Sequence, residues 1–283
     1  MKDIRNQIAA EYSDAVKEGN EKRGIVARTG SASFASYSAE ELKHLPEEAV
    51  DASFGCGNPV AFSSVQPGQT VLDLGCGAGL DLLIAAEKVG PEGTVIGVDM
   101  TDAMLEKARR NITASGFTNI QVRKGYVETL PVESNSVDWV ISNCAINLSP
   151  EKEKVFAEIA RVLKPGGRMI VSDIVAEGLP WWVRRSGLLT AACAGGAISE
   201  TQYLEGLRAA GLCECSVLAR QHYEAVQMAS LVVDSLPQYL QNASCCGKPI
   251  ARRILTKMAK PISEKLWSAR IAARKLSHIE QAL

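Results

Sequence analysis

The sequence predicts an α/β protein with a doubly wound parallel sheet covered by helices on both faces. Three observations carry that prediction. Short apolar runs of strand length alternate with helical periodicities between residues 70 and 174. The first run ends in an acid and a glycine-rich turn, Asp73-Leu74-Gly75-Cys76-Gly77-Ala78-Gly79, and the second ends in another acid, Asp99. The strand–helix–strand spacing requires crossover connections, which are right-handed and lay helices on alternate faces.

The elements follow in order. "TVLDL" (70–74) is the first strand and "DLLIAAEKV" (81–89) the first core helix. "TVIGVD" (94–99) is a second strand, and "TDAMLEKARRNITASG" a helix with Thr101 placed to cap it. "IQVRKG" (120–125) and "VDWVIS" (137–142) are the third and fourth strands. "EKEKVFAEIARVLKPGG" is a helix stopped by Pro165-Gly166-Gly167, and "RMIVSDI" (168–174) is the fifth strand. Ahead of this body, residues 3–22 have helical spacing, and a Ser/Ala/Gly/Pro-rich stretch around a short helix near 38–44 reads as a cap. Beyond it, residues 180–192 look helical, "SETQYLEGLRAAG" is a capped helix, and "CECSVLAR" is a strand. Residues 222–246 fit either helix or strand. Ile254, Met258, Ile262, Leu266, Ile271 and Leu276 then form a helical stripe broken near Pro261.

The implied organisation is an N-terminal helix and cap loop (1–60), a ligand-binding α/β body (61–175), an insertion with the last sheet strands (176–246) and a basic amphipathic helical tail (247–283). The body thus carries an N-terminal cap and a C-terminal α+β extension. The chain has 283 residues, 46% hydrophobic and 22% charged, enough for a sizeable core without a structural metal. Net charge is −1, but residues 248–283 carry nine Lys/Arg against two Glu, so a basic tail follows an acidic body. Docking of the tail's apolar stripe on that body accounts for it better than lipid or nucleic acid does. No apolar run is long enough to span a bilayer, and "MKDIRNQIAAEYSDAVKEG" lacks the apolar core of a signal peptide. The expectation is a cytoplasmic protein whose eight cysteines (56, 76, 144, 193, 213, 215, 245 and 246) are thiols suited to metal binding or catalysis.

The turn after the first strand is spaced G-x-G-x-G, not the G-x-G-x-x-G of dinucleotide binders, and Asp73 in front of it would repel a pyrophosphate. Asp99 stands where a carboxylate accepts hydrogen bonds from a ribose, and Asp73 suits an ammonium. Ribose plus amino acid without phosphate describes S-adenosylmethionine. Together, "VLDLGCGAG", "VIGVDMT", "GYVETLP", "VDWVISN" and "LKPGG" resemble a class I methyltransferase, a Rossmann-like fold that uses this cofactor. The resemblance implies Gly75, Gly77 and Gly79 near the methionine and ribose, Asp99 on the ribose and Met100 beside the adenine. It further implies Val127 and Glu128 around the adenine ring and its amino group, and Asn143 at the mouth of the site.

An oxygen or nitrogen acceptor usually needs a base, yet none of the three histidines (44, 222 and 278) lies at a strand's carboxyl end. Cys144 does, in "SNCAINL". Cys56 in "SFGCGNP" and Cys193 in "TAACAGGAI" sit in glycine-rich turns of the cap and the insertion. Three thiolates suit a soft three-coordinate centre better than zinc, which wants four ligands. "SFGCGNP", "SNCAINL" and "CAGGAIS" resemble the motifs of arsenite methyltransferases. That resemblance implies that Cys56, Cys144 and Cys193 bind As(III), whose lone pair attacks the cofactor's methyl without a base. It also implies arsenite and methylated arsenicals as ligands, and a thiol reductant, glutathione or thioredoxin, as co-substrate.

Cys76, inside the cofactor turn, reads as space-filling. Cys213 and Cys215 read as structural, on opposite sides of a strand, with zinc as a minor alternative. Cys245-Cys246 stay open between collecting arsenite, thiol exchange and no role, and Trp181-Trp182 read as packing the insertion onto the body. Two other functions also stay open: a small-molecule C- or S-methyltransferase with incidental cysteines, and a non-catalytic thiol-based metalloid binder.

Overall fold

In a computed structural model of the chain, residues 37–38, 42–51, 57–178, 196–222 and 264–281 are described. The helices expected at 3–22 and 180–192, the ambiguous stretch beyond 222, the Trp181-Trp182 pair, and Cys56, Cys193, Cys245 and Cys246 lie outside them. The described strands are β1 (Thr70–Leu74), β2 (Thr94–Asp99), β3 (Ile120–Lys124), β4 (Val137–Asn143), β5 (Leu163–Ala176), β6 (Leu212–His222) and β7 (Leu266–Lys275). They form one sheet in the order β3-β2-β1-β4-β5-β7-β6. β1 to β5 are mutually parallel, and β7 runs antiparallel to both β5 and β6. The helices are α1 (Glu47–Asp51), α2 (Pro59–Phe62), α3 (Leu80–Val89), α4 (Asp102–Ser115), α5 (Lys152–Val162), α6 (Glu200–Ala209) and α7 (His278–Gln281). Most of the cap helix expected near 38–44 lies outside the described residues; Leu42 is helical and its N–H donates to Ser38 O (3.3 Å), and α1 follows it as a further short helix.

Period-two alternation sorts the core onto the two faces of the sheet. Val71, Val95, Trp139, Ile141 and Ile170 pack with Leu82, Ile84 and Val89 of α3 and Leu105 of α4. Leu72, Leu74, Val98, Val140 and Val171 pack with Phe156 and Ile159 of α5 and Tyr203 and Leu207 of α6. The strand order reverses between β1 and β4, and that crevice at the strands' carboxyl ends is where such sheets bind ligands.

Two expectations are corrected. The tail is not helical at 266–275: that stretch is β7, wedged between β5 and β6. Its Ala, Leu, Arg and Lys favour a helix intrinsically. An open slot with backbone partners on both edges overrides that preference, and nonpolar cover on both faces removes the alternation that marks a strand. Its charges are not simply displayed to solvent. Lys275 Nζ donates to Ala160 O (2.6 Å) and Leu163 O (2.9 Å) at the end of α5, and Arg274 pairs with Glu214 and Glu280. The described part of the tail thus includes a strand of the sheet. Second, β5 begins at Leu163, so Pro165-Gly166-Gly167 lie in the strand, where its register on β4 shifts between Val137 and Trp139. Cys213 and Cys215 are half-buried on either side of exposed Glu214, whose left-handed backbone (φ 52°) stands at a register shift against β7; Cys215 packs on the core beside Val217, and Cys213 Sγ donates to Arg274 O (3.2 Å).

Ile271 is fully buried in β7. Ile271→Ala should cost about 2–5 kcal/mol in a denaturant melt, as for a core position; a dispensable docked tail would lose far less.

Candidate active site

The glycine-rich turn after β1 is held to β2 from below. Gly75 and Cys76 N–H both donate to Val98 O (2.8 and 3.1 Å), and Gly77 N–H donates to Asp99 Oδ2 (3.1 Å). Gly75 has φ 70°, and a Cβ there would collide with Ala145, so the cofactor turn lies directly against the residue after Cys144. Gly77 has φ 51° and open space where a side chain would stand, the shape of a cradle for a ligand. Gly79 (φ 92°) precedes α3. Cys76 is buried over Gly97 and its thiol is pushed up by burial and then by Asp99 and Asp73, which makes it inert packing.

Three carboxylates converge here, with different company. Asp99 accepts from Thr101 N–H (2.9 Å), the Thr101 hydroxyl (2.8 Å) and Gly77 N–H. Thr101 stands at the N-cap of α4, but its hydroxyl serves Asp99 instead of the helix. Burial raises the Asp99 carboxyl and these donors oppose the rise; a ribose diol would share oxygens that are already oriented. Asp81, in the first turn of α3, accepts from Tyr37 Oη (2.8 Å) and Asn143 Nδ2 (3.2 Å). Asp73 is 2% exposed and has no hydrogen-bond or ion-pair partner among the described residues. Its carboxyl is held well above the usual range, by burial first and then by Asp81 and Asp99. Such a buried acid lacks a cation, and an amino-acid ammonium fits it. Nothing in the sequence pattern singled out Asp81 or Tyr37; an acid in the first turn of a helix that starts at a ligand-binding loop is the signal that points to Asp81.

On the adenine side of the expected pocket, Gly125 N–H donates to Asp99 O (3.0 Å) and ties the 125–128 turn to β2. Val127 is half-buried, Met100 is half-buried, and Glu128 is buried and accepts from Ser149 Oγ (2.6 Å).

Cys144 follows the last residue of β4. It is 5% exposed and its backbone is left-handed (φ 62°), which for a non-glycine residue costs about 1–2 kcal/mol. Its N–H donates to Ser172 O (2.8 Å) on β5. Cys144 is disulfide-bonded, whereas Cys76, Cys213 and Cys215 are free thiols. Its partner lies outside the described residues, and the expectation that every cysteine is a thiol does not hold for it.

The flanks of the other two cysteines' loops come to the same place. Asn143 Oδ1 accepts from Gly57 N–H (3.1 Å) and Asn143 Nδ2 donates to Gly57 O (2.5 Å); that N–H belongs to the peptide bond joining Cys56 to Gly57. A Cβ on Gly57 would strike the Ser172 side chain. Gly196, three residues after Cys193, lies so close to Asn147 O that a Cβ would clash with it.

Comparison with known proteins agrees with this architecture. Residues 66–211, just over half the chain, match the family described as a methyltransferase domain, and the chain belongs to that family. Within it, the chain is similar to arsenite methyltransferases: 51% identical over 139 residues to that of Halobacterium salinarum (49% of this chain, 35% of the relative). It is 33% identical to the Mus musculus enzyme of that name over 70% of this chain and 54% of the relative. The chain thus spans about a third to a half of the length of these curated relatives. Among solved structures, an arsenic (III) S-adenosylmethionine methyltransferase from Chlamydomonas reinhardtii aligns with TM-score 0.61 and 29% identity, over 89% of this chain and 73% of that one.

Folding raises the pKa of Asp73, so its share of stability falls as pH climbs from the ordinary Asp value of about 4 toward the raised one. Asp73→Asn should therefore melt higher than wild type at neutral pH, yet bind S-adenosylmethionine about tenfold or more weakly, the worth of one charge-assisted hydrogen bond. Thermal melts and titration calorimetry on both proteins check the pair of outcomes.

Proposed function

We infer that this protein transfers a methyl group from S-adenosylmethionine to trivalent arsenic held by Cys56, Cys144 and Cys193. The observation that carries the reading is the meeting of three loops on residues 143–147: Gly57, next to Cys56, clasped by Asn143, and Gly196, three residues from Cys193, seated on Asn147. Cys144 stands between those two contacts. The contact of Gly75 with Ala145 places the same five residues against the cofactor turn.

The residues fit the cofactor: Asp73 offers a buried carboxylate to its ammonium, Asp99 an oriented one to its ribose, and Gly77 leaves space between them. The Val127–Glu128 turn and Met100 would flank the adenine. When bound, S-adenosylmethionine would supply an electrophilic methyl for the arsenic lone pair, with its thioether as the leaving group. The protein's contribution is to hold the acceptor in line and dry, which converts a bimolecular encounter into a fixed geometry. No general base is required for attack by a lone pair.

Thiolate binding needs Cys144 reduced. A thiol reductant of the glutathione or thioredoxin class must deliver two electrons to its disulfide, releasing two thiols and becoming a disulfide itself. The same class of donor returns arsenic to its trivalent state after transfer.

With arsenite, a thiol reductant and methyl-labelled cofactor, wild type should place label on arsenic. Cys144→Ser should lower that rate by about 100-fold or more while cofactor affinity stays within about twofold. Label reaching an organic acceptor and surviving Cys144→Ser would instead assign a small-molecule methyltransferase, and tight arsenite binding without label transfer a metalloid-binding protein.

A further inference from the structure

The side-chain amide of Asn143 touches both halves of the site. Strand register puts it there. Leu74 pairs with Ser142 across β1 and β4, and Ser142 Oγ donates to Leu74 O (3.1 Å), so Asn143, the next residue, leaves the sheet beside the cofactor turn. On the acceptor side, Asn143 Oδ1 accepts from Gly57 N–H (3.1 Å) and Nδ2 donates to Gly57 O (2.5 Å). On the cofactor side, Nδ2 donates to Asp81 Oδ2 (3.2 Å) and to Tyr37 Oη (3.1 Å), and Tyr37 Oη donates to Asp81 Oδ1 (2.8 Å). Asp81 is buried in the first turn of α3, two residues after Gly79 closes the cofactor turn.

The chemistry of these groups leaves the amide one orientation. A carboxylate only accepts and a backbone N–H only donates. Asp81 must therefore meet Nδ2, and Gly57 N–H must meet Oδ1. A hydrogen bond to a charged acceptor is about twice as strong as one between neutral groups, so the charge on Asp81 sets how firmly Asn143 presents Oδ1 to Gly57. The ammonium expected at Asp73 would arrive near Asp81, whose charge reaches Asp73. A cation there relieves the repulsion between the two acids and leaves Asp81 a full carboxylate to hold Tyr37 and Asn143.

We propose that Asp81, Tyr37 and Asn143 are positioning residues that couple the two substrates: cofactor binding locks the Asn143 amide, and the locked amide seats the Cys56–Gly57 peptide for arsenic. The coupling is reciprocal, so bound arsenite tightens cofactor binding by the same factor. The proposal rests on the arsenite reading for the ligand at Cys56, but not for the response of Gly57.

The test uses the full chain, reduced with a phosphine, and S-adenosylhomocysteine, which carries the same ammonium and ribose and has no methyl to transfer. Without any acceptor, this ligand should slow hydrogen exchange at the Gly57 amide of wild type by about fivefold or more, followed by NMR. In Tyr37→Phe and Asp81→Asn, at saturating ligand, the slowing should shrink to about twofold or less. Phe keeps the ring and loses the bridge; Asn keeps the shape but offers one acceptor oxygen where the carboxylate offers two. In wild type the ligand should also lower the Kd for arsenite by about fivefold or more, and neither variant should show that gain. Taken at saturation, the factor separates coupling from affinity: a residue that only supports the fold changes melting temperature or cofactor affinity and leaves the factor intact. A Gly57 rate that ignores the ligand in wild type overturns the proposal. A wild-type factor in both variants overturns it too, whatever their melting temperatures, as does bound arsenite whose affinity ignores the ligand. Gly57 that responds as expected in a wild type that binds no arsenite overturns the arsenite reading alone.

Discussion

The side-chain amide of Asn143 is the junction on which the site depends. It stands at the end of β4, beside the point where the strand order reverses, and exchanges two hydrogen bonds with the backbone of Gly57. It also donates to Tyr37 Oη (3.1 Å) and Asp81 Oδ2 (3.2 Å). One planar amide therefore joins the cap, the first helix after the cofactor turn, and the strand that delivers Cys144. Gly57 is buried, so without the amide its N–H and C=O would be left dry, at about 1–3 kcal/mol for each unsatisfied group. A cap held this way is in register with the sheet to within a hydrogen bond, which is the precision that a shared ligand between distant loops requires.

The acids of the site are arranged by how fully they are satisfied. Asp81 has Tyr37 and Asn143, and it is the group that fixes the cap to α3. Asp99 has Thr101 and Gly77 and is oriented before any ligand arrives. Asp73 is left without a donor among the described residues and is crowded by the other two, so a cation binding there relieves repulsion that the fold otherwise carries. The left-handed Cys144 is a second strained element at the same place. Strain and uncompensated charge together mark this crevice as the functional part of a sheet whose remaining surfaces are conventionally packed.

Legibility followed the physics of each element. β1 to β4, α3 and α4 could be placed from alternation and helical period because each of them covers or is covered by a regular neighbour. β7 could not, since a strand buried on both faces does not alternate and its Ala- and Arg-rich composition favours a helix. Thr101 had the right position for a cap, yet tertiary contact turned its hydroxyl to Asp99. The glycines at 75, 77 and 79 were legible because close approach and positive φ leave few other residues possible.

The sequence by itself determined the doubly wound α/β sheet, the glycine-rich turn led by Asp73, the acid Asp99 at the end of the next strand, and the position of Cys144 just past β4, because these rest on local period and turn chemistry. Tertiary structure alone decided that residues 266–275 join the sheet, that Asn143 clasps Gly57, that Asp73 has no partner among the described residues, and that Cys144 is a disulfide rather than a thiol. Each of those is a contact between residues many positions apart, and no local pattern encodes which distant backbone group, acid or sulfur will lie across from a given side chain.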